Sequence, residues 1–222
     1  MEPIPALLLA SNSPRRRQLL ALGGWTYGLD VSNIDESQNP DETPAAYVRR
    51  LARQKARAVL SRADKSQLII GSDTAVVIDE DILGKPVNVA DARQMLQRLR
   101  ENTHQVYTGI AVLRASDGNL WTNVVVTDVP MRNYSDSEID RYIESGDPMD
   151  KAGAYGIQHP AFQPVARMEG CFASVMGLPL CSLSKLLSQA GILTHVDIAR
   201  NCQESINYKC PVFASFLRGD VS

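Results

Sequence analysis

Apolar and polar positions along this chain follow two periods, and the switches between them divide it into strands and helices. Residues 7–10 (LLLA) are an unbroken apolar run suited to a buried strand. The run stops at Ser11-Asn12-Ser13-Pro14, where Ser13 can cap a helix and Pro14 suits its first position. A helix is therefore predicted from residue 14 to about residue 23, then a strand over 25–31 and a polar, acidic loop over 32–43. Thr43-Pro44 repeats the cap-plus-proline signal, and Tyr47, Val48, Leu51, Ala52, Ala56 and Val59 recur at helical spacing. Lys55 falls on or beside that apolar face, where it can snorkel past the core or aim into a cleft.

Residues 67–71 (QLIIG) read as a buried strand that delivers Ser72-Asp73-Thr74 at its C-terminal end. A hairpin is expected over 75–83, turning at Asp79-Glu80-Asp81, and Gly84-Lys85-Pro86 leads to a helix over 89–101 capped by Asn88. Long alternating runs over 104–114 and 120–131 flank Ser116-Asp117-Gly118-Asn119, a strong hairpin signal. Ser135 and Glu138 have capping-box spacing and open a helix to about residue 145. Residues 146–158 are Gly-rich and irregular, 165–176 suit a strand, and 180–190 form a last helix closed by Gly191. Residues 192–222 show little periodicity and hold Phe213 and Phe216. They read as an appended segment, either packed back on the domain or partly disordered. Helix–strand alternation mixed with antiparallel hairpins argues for an α/β fold with a mixed sheet and against a purely parallel one.

Composition narrows this picture in three ways. With 222 residues, the chain can form one large domain or two small lobes with ample core. Its net charge of −2 makes it no general polyanion binder, so anion chemistry must be local and no stable nucleic-acid complex is expected. No apolar run approaches the roughly 18 residues of a membrane span, and the first one is too short for a signal peptide. A cytoplasmic protein is the expectation. Cys171, Cys181, Cys202 and Cys210 form no CxxC pair and no zinc-type spacing with His104, His159 or His195, so unreactive thiols are expected.

The candidate chemistry begins at SPRR. A strand, a tight turn and a helix N-terminus collect free backbone N–H groups at the positive end of a helix dipole, and Arg15 and Arg16 add two guanidinium forks there. From the motif alone, an anion site and a solvated basic turn both fit. Further cations follow at Lys55, Lys85 and Lys151, with carboxylates at Glu36 and Asp73. Taken singly, each lysine suits a solvated surface charge. Together they suit a polyphosphate with its metal, the cations neutralising phosphate and the carboxylates holding Mg²⁺ or Mn²⁺ and orienting water.

The blocks SNSPRR, DE, RLARQKA, GSDT, LGKP, HQVYTG, DKAGAYGIQ and GLPL, in this order, resemble the Maf (septum-formation) family of nucleoside triphosphate pyrophosphatases. The resemblance runs from about residue 7 to residue 190, so a Maf-like domain is expected over 1–191 and an extension of unknown role over 192–222. It implies an elongated α/β structure with a cleft between two lobes, often a homodimer. It also implies hydrolysis of a nucleoside triphosphate between the α- and β-phosphates with a divalent metal. Carried over by motif, Ser11, Arg15 and Arg16 would bind phosphates, with Glu36, Lys55 and Lys85 completing the pocket. Asp73 would be the catalytic proton acceptor, or a metal ligand together with Glu36. Arg15, Thr74 and Gln158 fall where the family sets base selectivity, and arginine at 15 with threonine at 74 is similar to the dTTP/UTP branch. The 7-methyl-GTP branch looks to carry tryptophan in place of Arg15. One departure is Asp147, where the family pattern has glutamate, which puts any metal or hydrogen-bond role there in doubt. A modified-purine pyrophosphatase and a non-catalytic nucleotide-binding regulator of cell division are the alternative readings. The extension is expected to be dispensable for chemistry, because it adds no phosphate ligand.

Overall fold

The computed structural model describes residues 6–213. Strands β1 (Leu7–Ala10), β2 (Tyr27–Asp30), β3 (Leu68–Ile78), β4 (Asp81–Leu83), β5 (Thr103–Arg114) and β6 (Leu120–Pro130) form one mixed sheet. Their order is β2-β1-β3-β5-β6, with β4 paired to β3. β1 lies parallel to β2 and β3, and the remaining pairs are antiparallel. Helices α1 (Pro14–Ala21), α2 (Pro44–Ala58), α3 (Val89–Leu99), α4 (Asp136–Glu144), α5 (Phe172–Val175), α6 (Leu180–Gln189) and α7 (Ile198–Ile206) complete the fold. No helix among the described residues is long and apolar enough to cross a membrane.

Local signals start the helices where the sequence places them. The side chains of Ser13, Thr43 and Asn88 each accept a hydrogen bond from the backbone N–H three residues on, and Ser135 with Glu138 closes a reciprocal capping box.

β3 departs from expectation. It does not end before Ser72-Asp73-Thr74 but runs straight through to Ile78. The reason lies in which core each residue faces. On one face, Leu68 and Ile70 join a core with α6, while Val76 and Ile78 join a second core with α3 and α4. Ser72 and Thr74 lie on that same face between the two cores, so the polar triplet is a belt between lobes rather than a strand end. The opposite face packs on α2, where Gly71 and Gly109 let the helix backbone approach. A Cβ on Gly71 would stand 2.0 Å from the Ala52 carbonyl, and one on Gly109 would stand 2.4 Å from that of Val48. Asp73 pairs with Gly109 in register and shares this face with the α2 contact.

One other expectation needs correction, and one open choice is decided. Residues 165–176 form no strand: Val165 makes a single bridge to Met131, and Phe172–Val175 is a short helix. Residues 192–213 are packed back on the domain. Ile198 enters the first core with Cys202 and Ile206 against it, and Asn201 Nδ2 donates to the Leu22 carbonyl at 3.0 Å. Phe213 lines an apolar cavity there, whereas Phe216 lies outside the described residues.

His104 sits in the second core at 1% exposure, with Nε2 2.8 Å from Tyr155 Oη and no partner for Nδ1 among the described residues. Burial lowers its pKa from 6.5 to about 4. The unfolded chain therefore binds a proton between these values that the folded chain refuses. The stabilisation is complete above pH 6.5 and is lost as pH falls towards 4, by about 3 kcal/mol at most. Urea unfolding at pH 7 and pH 4 should show this loss, and His104→Gln should flatten it.

Candidate active site

The site occupies a gap in the sheet. β1 covers one edge of β3 over Leu68–Ile70, and β4 covers the same edge over Val76–Ile78. Between them residues 71–75 have β5 on one side and, among the described residues, no strand on the other. The C-terminal ends of β1 and β4 both point at this gap, and the chain leaves them as Ser11-Asn12-Ser13 and Gly84-Lys85. A cleft of about 920 Å³ opens there, lined by Ser11, Arg15, Arg16, Glu36, Lys55, Asp73, Thr74, Lys85 and Gln158. All nine residues expected from the sequence are thus brought to one cavity. No residue beyond Gly177 lines it among the described residues.

Its centre is Lys55. The ammonium lies 2.6 Å from Asp73 Oδ1 and 2.7 Å from Glu36 Oε1. Lys55 and Asp73 are buried, whereas the Glu36 side chain, from the acidic loop, is 52% exposed. The two carboxylates are pushed apart in acidity. Burial raises the pKa of Asp73, against the opposing pull of Lys55 and Arg16. Burial also acts upward on Glu36, but the hydrogen bond from Lys55 and the charges of Lys55, Lys85 and Arg16 outweigh it and leave the value lowered. Asp73 is accordingly the more basic carboxylate, and Glu36 the anchored anion.

The cations differ in how they are held. Arg16 donates from Nε to the Gly177 carbonyl at 3.0 Å, from Nη1 to Ser11 Oγ at 3.4 Å and from Nη2 to Thr74 Oγ1 at 3.3 Å. The side chains of Arg15 and Lys85 make no ion pair or hydrogen bond among the described residues, so both charges are available to an anion. Lys151 is matched within its own loop, 2.9 Å from Asp147 Oδ1 and 2.7 Å from Asp150 Oδ1. Asp147 also accepts from Tyr142 Oη at 2.7 Å, so the shorter side chain still ties α4 to the loop after it.

No three of the described His, Cys, Asp and Glu residues could hold a metal by themselves. Glu36 and Asp73 nevertheless each keep one oxygen outside the Lys55 bridge. Two carboxylates beside a phosphate site suit Mg²⁺ or Mn²⁺, which takes its other ligands from phosphates and water.

A second cavity of about 300 Å³ lies between α6, α7 and β6 and gathers all four cysteines. Among the described residues it has no charged lining and nothing to hold a triphosphate. The thiols are free, and burial pushes Cys171, Cys181 and Cys202 up to about 12, so they stay protonated at neutral pH.

Sequence reasoning passed over Thr108, which pairs with Thr74 across β3 and β5, and the Gly177 carbonyl. Thr108 lies inside the HQVYTG block, but strand alternation alone gives it no distinction.

Proteins of similar sequence include dTTP/UTP pyrophosphatases. That of Hahella chejuensis is 46% identical over 84% of this chain and 92% of its own length. The protein of that name from Alkaliphilus metalliredigens is 46% identical over 82% and 94%, and that from Escherichia coli O157:H7 is 43% identical over 85% and 94%. The model of the family described as Maf-like protein matches residues 6–190. Those residues hold the second core, most of the first and every side chain around the cleft, and the chain belongs to the Maf family.

Proposed function

We propose that this chain hydrolyses the α–β phosphoanhydride bond of dTTP and UTP, releasing the monophosphate and pyrophosphate. The observation that carries the reading is the Lys55 ammonium between Asp73 and Glu36, beside three cations in one cleft. It is supported by the dTTP/UTP pyrophosphatases similar to this chain over most of its length. Arg15, Arg16 and Lys85 bind the phosphates, and Ser11 steadies Arg16. Lys55 orients Asp73 through Oδ1, leaving Oδ2 to take the proton of the attacking water. A divalent cation would be held by the free oxygen of Glu36 with phosphate oxygens and water, and would neutralise phosphate charge. Arg15 and Gln158 present polar groups to the base, and Thr74 supports them through Arg16. The segment after residue 191 supports the first core and adds nothing to the chemistry. A cytoplasmic homodimer without stable nucleic-acid partners belongs to the same reading, on the family resemblance and the net charge of −2.

Pyrophosphate release from UTP, dTTP, GTP and 7-methyl-GTP tests both the reaction and the base. A polar pocket rejects bases that leave its groups unpaired, so kcat/KM should favour UTP and dTTP by about tenfold or more. Faster turnover of 7-methyl-GTP would overturn the base assignment, and no release from any of the four would overturn the reaction.

A further inference from the structure

Arg16 is held by a directional chain of hydrogen bonds that ends in the sheet. Thr108 is fully buried, and its Oγ1 donates to the Ser174 carbonyl at 2.8 Å. That uses its single hydrogen, so in the 3.0 Å contact between Thr74 Oγ1 and Thr108 Oγ1 the donor must be Thr74. With its own hydrogen turned to Thr108, Thr74 presents a lone pair to Arg16 Nη2 at 3.3 Å. The Gly177 carbonyl takes Nε at 3.0 Å and lies 2.8 Å from Ser72 Oγ, whose one hydrogen it shares with the Gly109 carbonyl at 3.0 Å. Three of the five guanidinium hydrogens are therefore engaged with the protein, one on each nitrogen. The two left over sit one on each terminal nitrogen and are free for phosphate oxygens.

We propose that Thr108 is a positioning residue for Arg16, acting through Thr74 to present those two hydrogens to a phosphate group. Without the Thr108 hydroxyl, the Thr74 hydrogen loses its acceptor and the hydroxyl is free to rotate. Its lone pair is then no longer reserved for Arg16. The polar belt of β3 and β5 thereby acquires a purpose beyond dividing the two cores. The proposal concerns how an anion is gripped. Its consequence for turnover rests on the pyrophosphatase reading.

The probe is inorganic pyrophosphate, titrated calorimetrically into the full chain. Thr108→Val keeps shape and removes the hydroxyl, and it should weaken binding about tenfold, the scale of a lost hydrogen bond to a charged group. Thr108→Ser restores the hydroxyl and should bind within twofold of the parent. Thr74→Val breaks the same chain one link earlier and should match Thr108→Val, which covers the case of a poorly folding Thr108 variant. In an Arg16→Ala background, Thr108→Val should cost nothing further. With UTP as substrate, the same variants should raise KM more than they lower kcat. Unchanged pyrophosphate affinity in Thr108→Val and Thr74→Val would overturn the proposal. So would a loss in Thr108→Ser equal to that in valine, or an undiminished loss without Arg16. If the parent chain released no pyrophosphate from UTP while the binding pattern held, the reading of the reaction would fail and the positioning role would stand.

Discussion

Asp73→Asn is expected to lower turnover of UTP by about a hundredfold or more, with substrate binding largely kept. Water is a weak nucleophile at neutral pH, and the phosphate oxygens repel hydroxide, so the attack needs a placed base. Asp73 is on β3, its cross-strand neighbour is Gly109, and Oδ1 is fixed 2.6 Å from Lys55. Burial raises its proton affinity above that of an ordinary carboxylate. Asparagine keeps the size and can still contact neighbours, but its amide is not a base and is only a neutral, weaker ligand for a metal. Steady-state kinetics at saturating Mg²⁺ or Mn²⁺ would decide the point. Near-normal kcat in a folded variant would make Asp73 a structural partner of Lys55 and leave Glu36 as the candidate base.

The other large effect concerns stability. Replacing Lys55 by methionine keeps much of the apolar stem and deletes the charge that Asp73 and Glu36 share. The half-exposed Glu36 can turn to solvent and should lose little. Asp73 cannot, and stranding one member of a buried pair costs about 3 kcal/mol or more. Urea unfolding at pH 7 should show that loss. The double variant Lys55→Met/Asp73→Asn should regain a good part of it, because no unpaired charge remains. A single-variant loss below about 1 kcal/mol, with no recovery in the double variant, would mean that solvent reaches Asp73 freely.

The beginnings of α1 to α4 were legible because a cap is a contact between residues three apart: Ser13, Thr43, Asn88 and Ser135 act on their own first turns. The hairpin of β5 and β6 was legible for the same reason, since its turn and its alternation are neighbours in the chain. The site residues were legible only as a set, through the order of family blocks. Any one lysine or arginine could as well have been a solvated charge. Other features depended on partners far away in sequence. Ser72-Asp73-Thr74 looks like the end of a strand until β5 pairs with it from residues 108 to 110 and a second core forms beyond it. α7 carries its own signal, an Asp197 cap with Ile198, Ala199, Cys202 and Ile206 at helical spacing, which sequence reasoning passed over. That Ile198 is core is decided by α6 and the end of α1, which receive it.

By itself, then, the sequence determined where helices start, the mixed α/β class, and which charged residues belong together. Tertiary structure decided what those charges do to one another. β1 and β4 stop short on the same edge of β3 and leave the gap. Gly71 and Gly109 admit α2 closely enough for Lys55 to reach Asp73. A threonine pair across two strands aims Arg16. The physical reason is range: capping and periodicity act over a few residues, whereas burial, pairing and the acidity of a carboxylate are set by whatever the rest of the chain packs against it.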